Sequence, residues 1–165
     1  MPSNDRVIRI EWEGLQEFRD LLDNLTENMD NIIIEEYSRY GLLVEEGARS
    51  LAPHDNGDLE DSINFQRCKK VGNSFVVEGG SNLSYALVRH EAPEKSGTRP
   101  KYDHGAKFPA YYINGKGKRT RAKGSWRGKQ AGRKFLTNAI EATKSDFDAM
   151  NERILTRIMN EGGRR

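Results

Sequence analysis

The sequence predicts an α+β fold: a small, mostly antiparallel sheet packed by a long N-terminal helix and a C-terminal helix, with a long basic loop before the last helix. Three features carry this. Short runs of alternating apolar residues read as strands, two long stretches hold apolar residues at helical spacing, and a segment dense in Gly, Pro, Lys and Arg separates the last strand from the last helix. A chain of 165 residues suits a single domain over 1–165, with its core in about 6–92 and 134–160 and a loop insertion in about 93–133.

The elements follow in order. Arg6 to Trp12 sets Val7, Arg9 and Glu11 against Ile8, Ile10 and Trp12, the period of a strand with one buried face. Gly14 ends it. From Leu15, the positions Phe18, Leu22, Leu25, Met29, Ile32 or Ile33, Tyr37, Tyr40, Val44, Ala48 and Leu51 recur at steps of three to five. Roughly 37 residues of helix would span about 55 Å, long for this chain, so a break is expected near Asn24–Asp30 with Thr26 as a cap. Pro53 cannot extend a helix and biases Ala52 away from helical angles, so the helix stops there. Asn56-Gly57 makes a turn, and Asp58 is placed to cap a short new turn that begins with Glu60 and Asp61 and shows Leu59 and Ile63 on one side. Ser62–Lys69 and Ser74–Gly79 read as a hairpin around Val71-Gly72-Asn73, and Tyr85–His90 as a third strand. Phe135, Leu136, Ala139, Ile140, Thr143, Phe147, Met150, Ile154 and Ile158 give one amphipathic helix ending near Gly162-Gly163.

Composition restricts the function classes. Apolar residues are 35% and charged residues 32%, which implies a small core and much loop or oligomer surface. The single Cys68 excludes an internal disulfide framework, and no apolar run reaches the length of a membrane span or a signal peptide, so synthesis in a reducing cytoplasm is expected. The net charge of +2 conceals an asymmetry. Residues 93–134 hold thirteen Lys or Arg against Glu94 and Asp103, a net of +11, and the remainder of the chain carries −9.

No constellation matches a catalytic or metal template. His54, Asp55, Asp58, Glu60 and Asp61 are close in sequence, but a calcium loop begun at Asp55 would need oxygen donors where Gly57, Leu59 and Glu60 stand. His90-Glu91 begins like a zincin motif, yet Glu94 stands where the second His belongs. Gly124-Ser125-Trp126-Arg127-Gly128-Lys129-Gln130 has three residues between its glycines where a nucleotide loop needs four, and Gln130 replaces the magnesium-binding hydroxyl. Cys68, in a predicted strand beside Arg67, Lys69 and Lys70, reads as a filler or edge residue. No metal, cofactor or catalytic residue is assigned on these grounds, although a metal-dependent nuclease using His54, Asp55, Asp58 and His90 is the enzymatic alternative.

The basic segment is the strongest signal for a partner. Its thirteen cations could neutralise several phosphates, and Tyr111, Tyr112 and Trp126 could stack or pack. The same charges fit an acidic protein surface, including that of a neighbouring copy, or a solvated loop.

The ordered set Glu13-Gly14-Leu15, then Ala52, Pro53, Gly57, Leu59, Ser62 and Ile63, then Tyr85-Ala86 with His90-Glu91, then Lys134-Phe135-Leu136 with Ala139, resembles the tail-completion or head-to-tail joining proteins of long-tailed bacteriophages. The resemblance covers nearly the whole chain. It differs in having Asn56 where the family most often has Thr, and a longer segment before the last helix. It implies a non-enzymatic virion subunit, made in the host cytoplasm, that forms a ring of six or twelve copies in the neck around the DNA channel. Its partners would be a portal-side head-completion protein and a tail terminator or tail-tube protein. Lys116, Lys118, Arg119, Arg121, Lys123, Arg127 and Lys129 are then the candidates for contact with channel DNA, without base specificity, or with a neighbouring subunit. The alternative is a free nucleic-acid-binding protein that uses residues 93–134.

Overall fold

The computed structural model describes residues 9–11 and 28–162, which form an α+β fold with two antiparallel sheets. Of the predicted first strand, Arg9–Glu11 (β1) is described; of the expected helix break, Asn28–Asp30 already belong to a helix and the rest lies outside the described residues.

That helix, α1 (Asn28–Leu51), buries the stripe Met29, Ile32, Ile33, Tyr37, Tyr40, Val44, Ala48 and Leu51. These are the steps of three and four that one helix face requires. Gly47 lets Trp126 lie flat on the helix: a Cβ there would sit 2.6 Å from the indole ring. After the turn come α2 (Asp58–Ser62), β2 (Ile63–Phe65), β3 (Lys69–Val71) and β4 (Ser74–Ser81). β4 is the central strand. β1 pairs with it on one side, while β2 and β3 pair with it in succession on the other. The register shifts by one residue between Phe65↔Gly79 and Lys69↔Val76, so the predicted strand over Ser62–Lys69 is two strands separated by a bulge at 66–68. Cys68 sits in that bulge, buried, with its amide on Ser38 Oγ at 3.0 Å.

Three expectations are corrected. Tyr85–His90 is not a strand: Ala86–Glu91 form a helical turn and a half (α3), with Ala86 and His90, four apart, both buried. Residues 93–133 are not one loop. They hold β5 (Thr98–Asp103), β6 (Ala106–Ile113), β7 (Lys116–Gly117) and α4 (Lys118–Ala122), the strands forming a second sheet in the order β5-β6-β7. The last helix is two, α5 (Phe135–Ala142) and α6 (Lys144–Gly162). Thr143 divides them. Fully buried, its hydroxyl bonds back to Ala139 O at 2.9 Å and meets Tyr40 Oη at 3.0 Å, which competes with helix continuation at a β-branched residue.

The core lies where α1 packs on α5, α6 and the first sheet, and its apolar cluster draws on residues 29–86 and 135–158. Among the described residues the second sheet adds nothing to that cluster. Glu36, 2% exposed, is the charged member of the α1–α6 seam, held by Arg153 Nε at 3.2 Å and Arg157 Nη1 at 2.8 Å.

Candidate functional site

The sequence motif 52–63 is a joint. The last carbonyls of α1 need partners, and the distant segment after the second sheet supplies them. Gly132 N donates to Leu51 O at 2.8 Å, and Lys123 Nζ donates to Arg49 O at 3.0 Å and Ala52 O at 2.9 Å while pairing with Glu60. Gly57 holds φ of +100°, which a side chain rarely adopts. The sequence expectation that Asp58 caps the turn is overturned: Asn56 Oδ1 accepts from Asp58 N at 3.2 Å, and Asp58 is the first helical residue. Leu59 and Ile63 are buried, and Ser62 Oγ bridges Leu59 O at 2.7 Å and Ser81 Oγ at 2.6 Å. Pro53 follows Ala52 at the helix stop.

Of the motif's titratable groups, His54, Asp55, Asp58 and Glu60 are engaged with protein groups. His54 Nδ1 lies 3.0 Å from Glu60, and its backbone exchanges bonds with Thr120 Oγ1. Lys101 bonds Asp55 at 2.7 Å, and this bond, with the nearby Arg119 and Arg89 charges, holds the Asp55 carboxyl below its ordinary range. His90 is buried edge-on to Phe135, 2.7 Å from Glu91. Phe135 and Leu136 are core residues, and Tyr85 opens α3, half exposed. Among the described residues no group of three or more His, Cys, Asp or Glu could hold a metal ion. Burial pushes the Cys68 thiol up to about 11, away from nucleophilic chemistry.

The basic segment divides in two. Lys123, Arg127, Lys129, Arg133 and Lys134 are fastened to Glu60, Asp146, Glu141, Glu94 and Glu91, so the stretch from 123 to 134 is a strap that ties α2, α3, α5 and α6 together and, through Lys123 Nζ and Gly132 N, the end of α1. Lys134 N also caps α3 by donating to His90 O at 2.9 Å. With Lys101, six of the thirteen cations have a carboxylate partner; the other seven, Lys95, Arg99, Lys107, Lys116, Lys118, Arg119 and Arg121, have none among the described residues. All seven lie on or beside the second sheet. Of the sequence candidates, Lys123, Arg127 and Lys129 are therefore structural ties. Arg119 donates to Asp55 O and Arg121 to Tyr111 O at 3.2 Å, leaving Lys116 and Lys118 with no ammonium partner among the described residues.

The second sheet was hidden by its prolines. Arg99↔Tyr112 and Lys101↔Phe108 are consecutive ladder pairs, so Pro100 and Pro109 both fall in the bulge between them, where no ladder N–H is required. Asn114-Gly115, with φ of +50° and +77°, and His104-Gly105, with +47° and +78°, make the two tight turns. An Asn-Gly turn was the available sequence signal. The hairpin exposes Tyr102 (69%) and Phe108 (46%), with Lys107 above the Tyr102 ring. Between this sheet, the joint and α3 lies a cleft of about 1200 Å³, with Tyr85, Arg89, Lys95, Tyr111, Tyr112 and Lys116 in its walls.

No protein-family model matches the chain, and neither the curated proteins nor the solved structures give a similar protein. Among the described residues no helix is long and apolar enough to cross a membrane.

Proposed function

We propose that this chain is a structural subunit of a tailed-phage neck, a tail-completion or head-to-tail connector protein that assembles into a ring of six or twelve copies around the DNA channel. The observation that carries the reading is the second sheet: a hairpin outside the hydrophobic core with exposed aromatics, and on or beside it seven cations with no carboxylate partner among the described residues, on a body that is otherwise acidic. Such an element adds little to the folding of a monomer. In a closed ring each copy offers one surface to a different surface of the next, so a basic arm against an acidic body gives complementary patches at every interface. The ordered motif around the joint supports the same class.

In the ring, Arg99, Lys107 and Lys118 are better placed than Lys123, Arg127 or Lys129 to reach a neighbour or the channel DNA, because the latter three hold the body together. The head-completion protein on the portal side and the tail terminator or tail-tube protein are the axial partners. Particles from cells that encode the chain would carry it at a fixed ratio of six or twelve per portal, measured by quantitative mass spectrometry; its absence from particles would refute the assignment.

A second reading, a free nucleic-acid-binding protein, is favoured by Arg99, Lys107 and Lys116 on the sheet that exposes Tyr102 and Phe108, with Lys107 over the Tyr102 ring. It requires the isolated chain to bind duplex DNA with an affinity that falls steeply with salt. A neck subunit would show no such binding before assembly.

A further inference from the structure

We infer that the cleft between α3 and the second sheet is a docking site for an extended, carboxylate-rich segment of a partner protein. Its volume of about 1200 Å³ exceeds the roughly 300–1,000 Å³ typical of small-molecule sites, which suits a length of polymer.

Charge identifies the polymer. Two of the carboxylates in the cleft wall are ion-paired, Asp55 with Lys101 and Glu94 with Arg133 at 3.0 Å, while Asp58 accepts from the Asn56 amide at 2.5 Å and keeps its charge, outnumbered by the wall's cations. The cations Arg89, Lys95 and Lys116 in the same wall have no carboxylate partner among the described residues. The site therefore presents uncompensated donors and positive charge to whatever enters, and a run of Asp and Glu satisfies both.

Other polar groups in the wall select a peptide over a nucleic acid. Gln130 makes no hydrogen bond among the described residues, Asn138 uses its Nδ2 on Arg133 O and keeps its Oδ1, and Asn114 uses its Oδ1 on Gly97 N and keeps its Nδ2. Side-chain carboxamides offer both donor and acceptor, which a peptide backbone matches at each residue, whereas a phosphodiester backbone offers acceptors alone. Tyr85, Tyr111 and Tyr112 supply amphipathic surface for an aromatic or aliphatic anchor between the acids.

The test uses the full chain at physiological salt and, as the acidic probe, a random copolymer of Glu and Tyr in a roughly 4:1 ratio, chosen for the cation-and-tyrosine wall. Saturable binding is expected, weakened at least about tenfold in the triple variant Arg89→Gln/Lys95→Gln/Lys116→Gln and unchanged in Lys107→Gln on the exposed hairpin. These are neutral changes at groups without ion pairs, and an unaltered unfolding midpoint shows that the fold is retained. Amide hydrogen exchange should slow in 85–96 and 111–117 on binding. The inference is overturned if the copolymer does not bind, if the triple variant binds as well as the parent, if protection falls on 98–108 instead, or if oligothymidylate displaces the copolymer at equal or lower concentration. The outcome is independent of ring formation, because each arm reads binding to one chain.

Discussion

Lys123→Met separates a structural tie from a surface contact. In the fold the Lys123 ammonium closes the C-terminus of α1 through Arg49 O at 3.0 Å and Ala52 O at 2.9 Å and reaches Glu60 on α2. Met keeps the length and much of the apolar stem while deleting the charge, so packing changes little. Each hydrogen bond to a charged group is worth about 1.5–3 kcal/mol, and water can re-satisfy part of a joint that is only partly buried, so a net loss of about 2–4 kcal/mol is expected. With a urea slope near the upper end of about 1–3 kcal/mol/M, the midpoint should fall by about 0.7–1.3 M. Lys118→Met, at an exposed residue without an ion pair among the described residues, should stay within about 0.5 kcal/mol of the parent. The assay is urea unfolding followed by circular dichroism at pH 7. A Lys123→Met midpoint equal to that of Lys118→Met would refute the strap and return Lys123 to the pool of surface contacts.

Three further outcomes follow from the same structure. Removing Arg39, Arg153 and Arg157 together should cost more than Glu36→Gln, about 3 kcal/mol or more against about 1–2, because it leaves a buried carboxylate uncompensated whereas the arginines reach solvent when Glu36 is neutral; differential denaturation of the two variants decides this. Cys68, with its thiol at about 11 rather than 9.0, should carry about a hundredfold less thiolate than an ordinary cysteine at pH 8, so iodoacetamide should label it readily in denaturant and scarcely at all in the native protein. Glu35, Asp55 and Glu91 are held below the usual carboxylate range, chiefly by hydrogen bonds from Arg157, Lys101 and Lys134. For a depressed folded pKa the stabilisation is complete above the unfolded value and disappears as pH falls through the folded one, so thermal midpoints should be flat near neutrality and drop below about pH 4; Asp55→Asn should remove part of that drop.

Local punctuation was legible in the sequence, and long-range pairing was not. Pro53 after Ala52 marked the helix stop, Gly57 the turn and Gly72-Asn73 the hairpin tip, because each depends on backbone angles set by one or two residues. Tyr85–His90 was read as a strand since six residues with mixed apolar positions suit either period. The burial of Ala86 and His90, four apart, decides for helix. Pro100 and Pro109 argued against strands, and only the pairing register shows both of them in one bulge. The break at Thr143 needed knowledge of Tyr40, 103 residues away. The charge asymmetry was visible, but its resolution was not: Glu60, Asp146 and Glu141 reach Lys123, Arg127 and Lys129 through the fold, which is why about half of the expected basic surface is paired with carboxylates of the same chain. The cleft assembles side chains from the joint, α3 and the second sheet, and no single stretch of sequence announces it.

The most direct test of the proposed neck-subunit role is electron microscopy of the purified chain, alone and mixed with candidate portal-side and tail-tube proteins. Closed rings of six or twelve copies, abolished by Arg99→Glu/Lys107→Glu on the exposed hairpin and retained in a variant of Lys144, are the predicted result. Monomers under every mixture, with the double charge reversal indistinguishable from the parent, would contradict it.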